Sequence, residues 1–358
     1  MHNKVRFGII GYGKVAALHA KALETTEHAE LVSVSGHRQE RRDAFAHQWG
    51  LNSRNSVEEM IKEDGIQAVV IATPHLQHYS DAFSALNAGC HVLVEKPLAL
   101  SVAEAETLII EANKRNLLLS VIAQRRWYPS CKRIRHAIDE GYLGTPALAQ
   151  LTILGWRDEE YYRSDPWRGS WEGEGGGVIV NQAPHQFDLL CWYMGEVAEV
   201  YGRWANINHP YIEVDDSAVA TVLFKSGGLA SIFVSNSQRP GIYAKVHIHG
   251  SSGASAGVQT DGGAMFIAGR SSVLEAPYND IWTIPGQEEC RAQWQKEDEE
   301  FFSHIDATWY FFAQQEEDFA RAILAGQALS VSGSDGLQVA RIIEGIYRSN
   351  REGVPIRN

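Results

Sequence analysis

Val92-Leu93-Val94-Glu95-Lys96-Pro97 is an apolar run closed by a carboxylate, an ammonium and a ring. Apolar and β-branched residues after Gly89, with a long helical pattern downstream, read as a buried parallel strand. Lys96 then stands at the strand's carboxyl end, the edge of an open α/β sheet at which ligands bind. Pro97 has a fixed φ and no N–H, so it stops the strand and admits a cis peptide bond. A solvated charged turn is the plainer reading of Glu95-Lys96. One signal upstream and one downstream weigh against it.

Working outward, residues 4–10, 31–35, 67–72 and 117–122 read as further strands. Helical patterns over 16–25, 38–49, 77–88 and 102–115 alternate with them, and Ser56 and Ser101 stand where helix caps belong. Strands alternating with helices at this spacing specify a doubly wound parallel sheet, an α/β Rossmann architecture. The alternation stops near Ala123. Beyond it, 129–140 reads as helix, 147–154 as strand, and 197–206, 217–224, 229–236 and 243–249 as β-type runs with glycine turns. Residues 250–272 read as a loop or hairpin, and 306–325 and 334–349 as late helices. The pattern predicts two domains: residues 1–123, dinucleotide-binding, and 124–358, an α+β substrate-binding and oligomerisation domain with a large, mostly antiparallel open sheet. The last helix is a candidate to pack back on the first domain.

The chain has 358 residues, too many for one ordinary core. Its 32 basic and 44 acidic residues give a formal net charge of −12, which argues against a nucleic-acid or anionic-membrane partner. Cys90, Cys131, Cys191 and Cys290 are scattered without C-x-x-C spacing, so neither a disulfide framework nor a metal site is expected. No apolar run approaches the roughly 20 residues of a membrane helix. Glycines at 8, 11 and 13 break the N-terminal apolar stretch before it can serve as a secretory signal. A cytoplasmic protein is expected.

The upstream signal is Gly11-Tyr12-Gly13-Lys14-Val15-Ala16, between the first strand and the first helix. The first Gly permits the tight turn and the second lets backbone approach a pyrophosphate. Ala16 allows close packing, and the helix N-terminus offers aligned N–H donors. An NAD site usually presents an acid at the end of the second strand. Here Ser35-Gly36-His37-Arg38 stands there instead, leaving room and a cation for a 2′-phosphate. This leans modestly to NADP(H); solvent-facing charges at Arg38 and Arg41 are the competing reading. Thr73-Pro74-His75 ends the third strand at the same edge, and His75 or His78 is a candidate beside the nicotinamide ribose.

The downstream signal runs from Gly175-Gly176-Gly177 through Asn181 and His185 to Asp188. The glycines permit close approach of backbone to a ligand. If Asn181 opens a helix, Asn181 and His185 share a face one turn apart, with Asp188 a turn further on. Histidine is the usual proton carrier near neutral pH. A hydrogen-bonded core histidine is the commoner role, against which the Gly-rich approach and Asn181 count.

Taken together, Gly11-x-Gly13-x-x-Ala16, Thr73-Pro74, Glu95-Lys96-Pro97, Gln124-Arg125-Arg126 and the Gly175–Asp188 stretch resemble the Gfo/Idh/MocA family, and the resemblance covers almost the whole chain. It implies a Rossmann domain followed by a domain whose open sheet faces substrate and makes contacts in a homodimer or homotetramer. It implies NAD(P)-dependent redox chemistry on sugars, cyclitols or similar polyols, with Lys96 and His185 as the catalytic pair. The cofactor would lie along Gly11, Gly13, Lys14, Val15, Ala16, Ser35, Gly36, Arg38, Thr73, Pro74, His75, Glu95, Lys96 and Gln124. The substrate would meet Lys96, Arg125, Trp156, Tyr161, Trp167, Arg168, Asn181 and His185. In one departure, many relatives carry Asp where this chain has Asn181, and a neutral amide orients or binds rather than raising the basicity of a histidine.

The expected reaction moves hydride from a hydroxyl-bearing carbon to the nicotinamide while His185 accepts the hydroxyl proton and Lys96 stabilises the developing alkoxide. The aromatic and arginine-rich loop around Trp156, Arg157, Tyr161, Tyr162, Trp167 and Arg168 has the composition of a carbohydrate-facing wall, or of a packing loop. Two alternatives are an NAD-dependent glycosidase that oxidises its sugar transiently, and a nucleotide-binding regulator without turnover. The presence of both Lys96 and His185 counts against the regulator.

Overall fold

Strand β1 (Val5–Ile10) is buried along nearly its whole length, and the first sheet is built outward from it. The computed structural model describes residues 4–262, 266–273 and 275–358. After β1 come α1 (Lys14–Leu23), β2 (Ala29–Ser35), α2 (Gln39–Trp49), β3 (Asn52–Arg54), α3 (Val57–Asp64) and β4 (Ala68–Ile71). Then follow α4 (His78–Ala88), β5 (His91–Val94), α5 (Val102–Lys114) and β6 (Leu119–Val121). The strand order is β3-β2-β1-β4-β5-β6, all parallel. Helical crossovers cover both faces of such a sheet, which is why β4 reads as an unbroken apolar run. The connections change direction between β1 and β4, and the carboxyl ends of these strands border the crevice where such sheets bind ligands.

Local signals set the element ends. Ser56 and Ser101 accept N–H bonds from Glu59 and Glu104, each at 3.3 Å, and cap α3 and α5. Gly89 closes α4 at a φ of 93°, where a side chain would be strained. Strand β3 was not expected, because Asn-Ser-Arg has no apolar period to read.

The chain forms two compact units. The first contains Met1–Gln124, Ala268–Arg270 and Thr308–Leu337. The second contains Arg125–Ile267, Ser271–Ala307 and Gln338–Asn358.

The later elements are α6 (Pro129–Asp139), β7 (Pro146–Leu154), α7 (Glu159–Arg163), α8 (Val178–Asn181), α9 (Pro184–Met194), β8 (Val197–Ala205), β9 (Ser217–Phe224) and β10 (Leu229–Ser235). They continue with β11 (Tyr243–Gly250), β12 (Ser255–Gly262), α10 (Cys290–Ser303), α11 (Tyr310–Ala325), α12 (Gly333–Glu352) and β13 (Ile356–Arg357). The second sheet runs β12-β11-β7-β10-β9-β8-β13. Its pairs are antiparallel except β7 with β10. Along β9, buried and exposed residues alternate, the signature of a sheet with one packed face. On that face, α9 lies on β7 and β11, and α8 on β9 and β10.

Of the two readings of 250–272, the hairpin holds through Gly262, with β12 paired antiparallel to β11; residues 263–265 lie outside the described residues. Two other points need correction. Helix α10 went unread because only Asp298 of it is buried, so it carries no apolar stripe. The late helix that lies in the first unit is α11, with only the opening turn of α12. Phe312 and Phe319 of α11 join Phe7, Ile9, Val70, Leu93 and the small residues of α1 in one core cluster. Each fully buried ring contributes on the order of 2–3 kcal/mol. Among the described residues no helix is long and apolar enough to cross a membrane.

Candidate active site

In the first unit, β1 runs into Gly11, whose N–H reaches the Ser35 carbonyl at 2.9 Å, while the Ala72 N–H reaches that of Ile10 at 2.9 Å. Gly11 has φ +112°, and a Cβ there would lie 2.6 Å from the Ala72 oxygen, so no side chain fits. Gly13, exposed at the N-cap of α1, is different. A Cβ there would meet no protein atom within 4 Å. Open space at a helix N-terminus is what a pyrophosphate-binding turn requires. Lys14 and Val15 follow in the first turn of α1, and Ala16 is fully buried against the sheet.

Ser35 ends β2 buried, and Gly36 lies under the ring of Tyr12, where any Cβ would collide. The Tyr12 hydroxyl accepts the Arg38 N–H at 2.9 Å. From within the unit, buried Arg42 donates to the Gly36 carbonyl at 3.0 Å, to Ser53 at 2.8 Å and to Asn55 at 3.0 Å. The β2–α2 turn is thus braced by two side chains, carries no carboxylate, and leaves Arg38 exposed.

Thr73 donates to Asp81 at 2.7 Å, and His75 packs edge-on against His78. The ring nitrogens of buried His78 lie 2.7 Å from the Pro97 carbonyl and 2.9 Å from that of Thr73, tying together the ends of β4 and β5. The Lys96–Pro97 bond is cis. Lys96 is half-buried. Its N–H donates to Oε2 of Glu95 at 3.0 Å, and Oε1 of Glu95 lies 3.1 Å from His19 Nε2. His19 Nδ1 in turn is 2.7 Å from Glu316. Burial opposes charge on His19, yet the two carboxylates raise its pKa to about 9. Burial raises Glu316 to about 7 despite His19. On Glu95 the effect of burial is outweighed by His19, which holds its carboxyl below the usual range. Half-buried Gln124 ends the unit's first segment. Just before it, Gln315 accepts the Ala123 N–H and donates to the Val121 carbonyl, both at 2.8 Å.

In the second unit, the glycines before α8 serve packing rather than a ligand. A Cβ on Gly177 would run into the Asp215 backbone and one on Gly176 into Tyr347. Asp215 accepts the N–H groups of Gly177 at 2.8 Å and Ile179 at 2.9 Å and the Tyr347 hydroxyl at 2.6 Å. Its carboxylate thereby caps α8 from the loop that leads into β9. Asn181 ends α8, and Pro184 begins α9 after a break at Gln182-Ala183. Asn181 and His185, both half-buried, therefore do not share a continuous helix as the spacing suggested. Asp188 is held by a bidentate bond from Arg126 at 2.6 and 2.8 Å. Arg125 is buried and bonded to Asp261 at 2.7 Å and Thr260 at 2.8 Å.

The side-chain amide of Asn181 donates to Glu174 and to the Tyr161 hydroxyl, the latter at 3.1 Å. Gln182 and Arg168 also donate to that hydroxyl, at 3.1 and 2.5 Å. Glu174 accepts the Gly169 N–H at 2.7 Å, and burial raises its pKa. The Arg168 guanidinium lies 4.3 Å from the ring centroids of both Trp167 and Tyr161, and Arg157 lies 5.1 Å from Tyr161. Tyr161 and Tyr162 are buried in a small cluster with Ile212 and Val214, so part of the aromatic loop is core. Half-buried Trp156 carries Arg239 over its ring. Sequence reasoning missed Tyr12, His19, Glu174 and Glu316. Only Tyr12, between the two turn glycines, had a position that marked it.

A glycine turn at the switch point of a parallel sheet, with a lysine at the end of β5, defines the class: a dinucleotide-binding oxidoreductase fold. Residues 5–123 match the GFO_IDH_MocA family, described as an oxidoreductase family with an NAD-binding Rossmann fold, and residues 131–256 match the GFO/IDH/MocA C-terminal domain. The chain belongs to this family, and NAD(P)-dependent oxidoreduction is its class of activity. It is 32% identical over 231 residues to Oxidoreductase P35 of Formosa agariphila, covering 63% of this chain and 71% of that protein. It is 28% identical over 254 residues to the myo-inositol 2-dehydrogenase of Thermotoga maritima, covering 70% and 74%. Among solved structures, the WlbA dehydrogenase of Bordetella pertussis, in complex with NADH and UDP-GlcNAcA, superposes with a TM-score of 0.85 at 26% identity, covering 99% and 98%.

Proposed function

We propose that this chain is a dehydrogenase that moves hydride between a nicotinamide cofactor and a hydroxyl-bearing carbon of a sugar, glycoside or cyclitol. Gly11, Gly13, Lys14 and Val15 cradle the pyrophosphate, with Ala16 giving the helix its close approach. Thr73, Pro74, His75, Glu95, Lys96 and Gln124 line the nicotinamide side. Bound there, the cofactor supplies the hydride acceptor. Lys96 holds the substrate oxygen and stabilises its negative charge as it develops. His185 takes the hydroxyl proton, and Asn181 orients the group beside it. Trp156, Trp167 and Arg168 are the substrate-facing members of the loop, with Tyr161 behind them and Arg125 a more distant contributor.

The observation that carries the reading is Lys96, half-buried at the carboxyl end of β5 on a backbone clamped by its neighbour's carboxylate. The carboxylate-free turn and exposed Arg38 support a lean to NADP(H). Leu148, Leu229 and Leu223 lie side by side across β7, β10 and β9 on the outer sheet face, and Phe233 and Val219 form a second exposed pair there. This uncovered apolar face supports a homo-oligomer built through the second sheet. The scattered cysteines fit a reducing cytoplasm.

The test is a spectrophotometric screen of inositols, aldoses and UDP-GlcNAcA with NAD and NADP, on wild type and Lys96→Ala. Reduced cofactor should accumulate with wild type only, and the variant should still bind cofactor. Near-normal turnover by Lys96→Ala would remove the assignment. Glycoside cleavage without accumulating reduced cofactor would replace it with the transient-oxidation alternative.

A further inference from the structure

Two fully buried side chains behind Lys96, His19 and Glu316, take no part in the scheme above, and Glu95 joins them to the turn that carries the lysine. Glu95 accepts the Lys96 N–H with one oxygen and meets His19 with the other, and His19 meets Glu316 on its second nitrogen. Ionised carboxylates only accept hydrogen bonds, so above about pH 7, with both carboxylates ionised, both ring nitrogens donate and His19 is an imidazolium. One cation between two carboxylates leaves a net negative charge. It is shut away from water: His19 and Glu316 are both 0% exposed. Phe312 packs edge-on to the His19 ring at 4.8 Å. The second oxygen of Glu316 has no hydrogen-bond partner among the described residues. Such a carboxylate is costly, and packing alone would be served better by an apolar side chain of similar size.

The charge has a recipient in the same unit. Groups facing the triad are Lys96, beside Glu95, and His78 of α4, which interacts electrostatically with both Glu95 and Lys96. We propose that Glu316 is a positioning residue for Lys96: through His19 and Glu95 it fixes the turn that carries the lysine, and its uncompensated charge holds the ammonium there. The proposal rests on the reading of Lys96 as the group that acts on substrate. Glu316 comes from α11, which lies far along the chain from Lys96 and returns to the first unit.

Glu316→Gln keeps an oxygen for His19 and removes only the charge. Glu316→Asp keeps the charge and serves as the conservative rescue. Concentrations are set by titrating cofactor-binding sites, so that unfolded protein does not count. In Glu316→Gln, kcat should fall at least tenfold with the KM for cofactor within twofold of wild type. Its acid limb should flatten, because protonating Glu316 below about pH 7 does to wild type what the substitution does at every pH. Glu316→Asp should recover most of the rate. A second readout needs no turnover: acylation of Lys96 at pH 8, followed by mass spectrometry, should be at least threefold faster in Glu316→Gln. Unchanged acylation overturns the coupling, whatever the rate does. Faster acylation with unchanged kcat keeps the coupling and instead removes Lys96 from catalysis.

Discussion

Asn181 gives its side-chain amide protons to the carboxylate of Glu174 and the hydroxyl oxygen of Tyr161, which fixes the amide and makes Oδ1 the atom it presents on its other side. A buried carboxylate, Glu174, thus lies directly behind the neutral amide at position 181. Asn181→Asp should therefore harm this protein. Two carboxylates in contact in a buried site cannot both ionise, so one must take up a proton. We expect a loss of about 2–4 kcal/mol in denaturant unfolding and slower turnover at neutral pH. The exchange variant Glu174→Gln/Asn181→Asp should regain most of the stability. An Asn181→Asp protein as stable as wild type would contradict this account of the network.

The two turn glycines should separate by phenotype. Gly13→Val adds atoms where there is no protein to meet, so its melting temperature should match wild type while dinucleotide affinity falls about tenfold or more, read by fluorescence titration. Gly11→Ala should lose both, because its Cβ is driven into the Ala72 carbonyl. If Gly13→Val bound cofactor normally, the pyrophosphate would have to lie elsewhere.

Arg38→Ala should weaken NADP about tenfold while leaving NAD nearly unchanged, since a phosphate loses a charge-assisted partner and a hydroxyl does not. Arg42→Ala should weaken both alike, because Arg42 braces the turn from inside through the Gly36 carbonyl. Equal effects of Arg38→Ala on both dinucleotides would sink the 2′-phosphate assignment.

Stability should fall on the alkaline side of neutrality. The pKa of His19 rises on folding from 6.5 to about 9, so its contribution is complete below pH 6.5 and disappears as pH climbs through 9. Glu316 is raised from 4.5 to about 7, so the folded state also releases that proton late, and the cost of ionising it is fully present above 7. Both act in the same direction. Unfolding free energy should drop on the order of 2–3 kcal/mol between pH 6.5 and 9, and His19→Asn should flatten that slope. A wild type equally stable at both ends of the interval would show that His19 is not charged.

The first sheet was legible because parallel strands buried on both faces leave apolar runs, and glycine turns and serine caps mark their ends. Strand β3 and helix α10 were not, since neither buries an apolar stripe. At the candidate site, the placement of Gly13 at the start of α1 and of Lys96 just after β5 followed from local pattern. The glycines at 176 and 177 misled: their need for space is set by Tyr347 and Asp215, residues remote in sequence. The break between Asn181 and His185 was hidden for a related reason: α8 is one short turn capped at its start by a carboxylate from position 215, and a new helix opens at Pro184. His19 and Glu316 are separated by 297 positions, and no local pattern announces such a pair.

During translation, a ribosome that has released residue 124 has delivered all six strands of the first sheet but not Phe312, Phe319, Gln315 or Glu316. That nascent segment still shows solvent the side on which α11 will lie, with its buried histidine short of one carboxylate. The part of the protein made first is thus among the last to be finished, and a gene fragment ending at residue 124 should yield a sticky, incomplete product unless the 308–337 peptide is supplied alongside it.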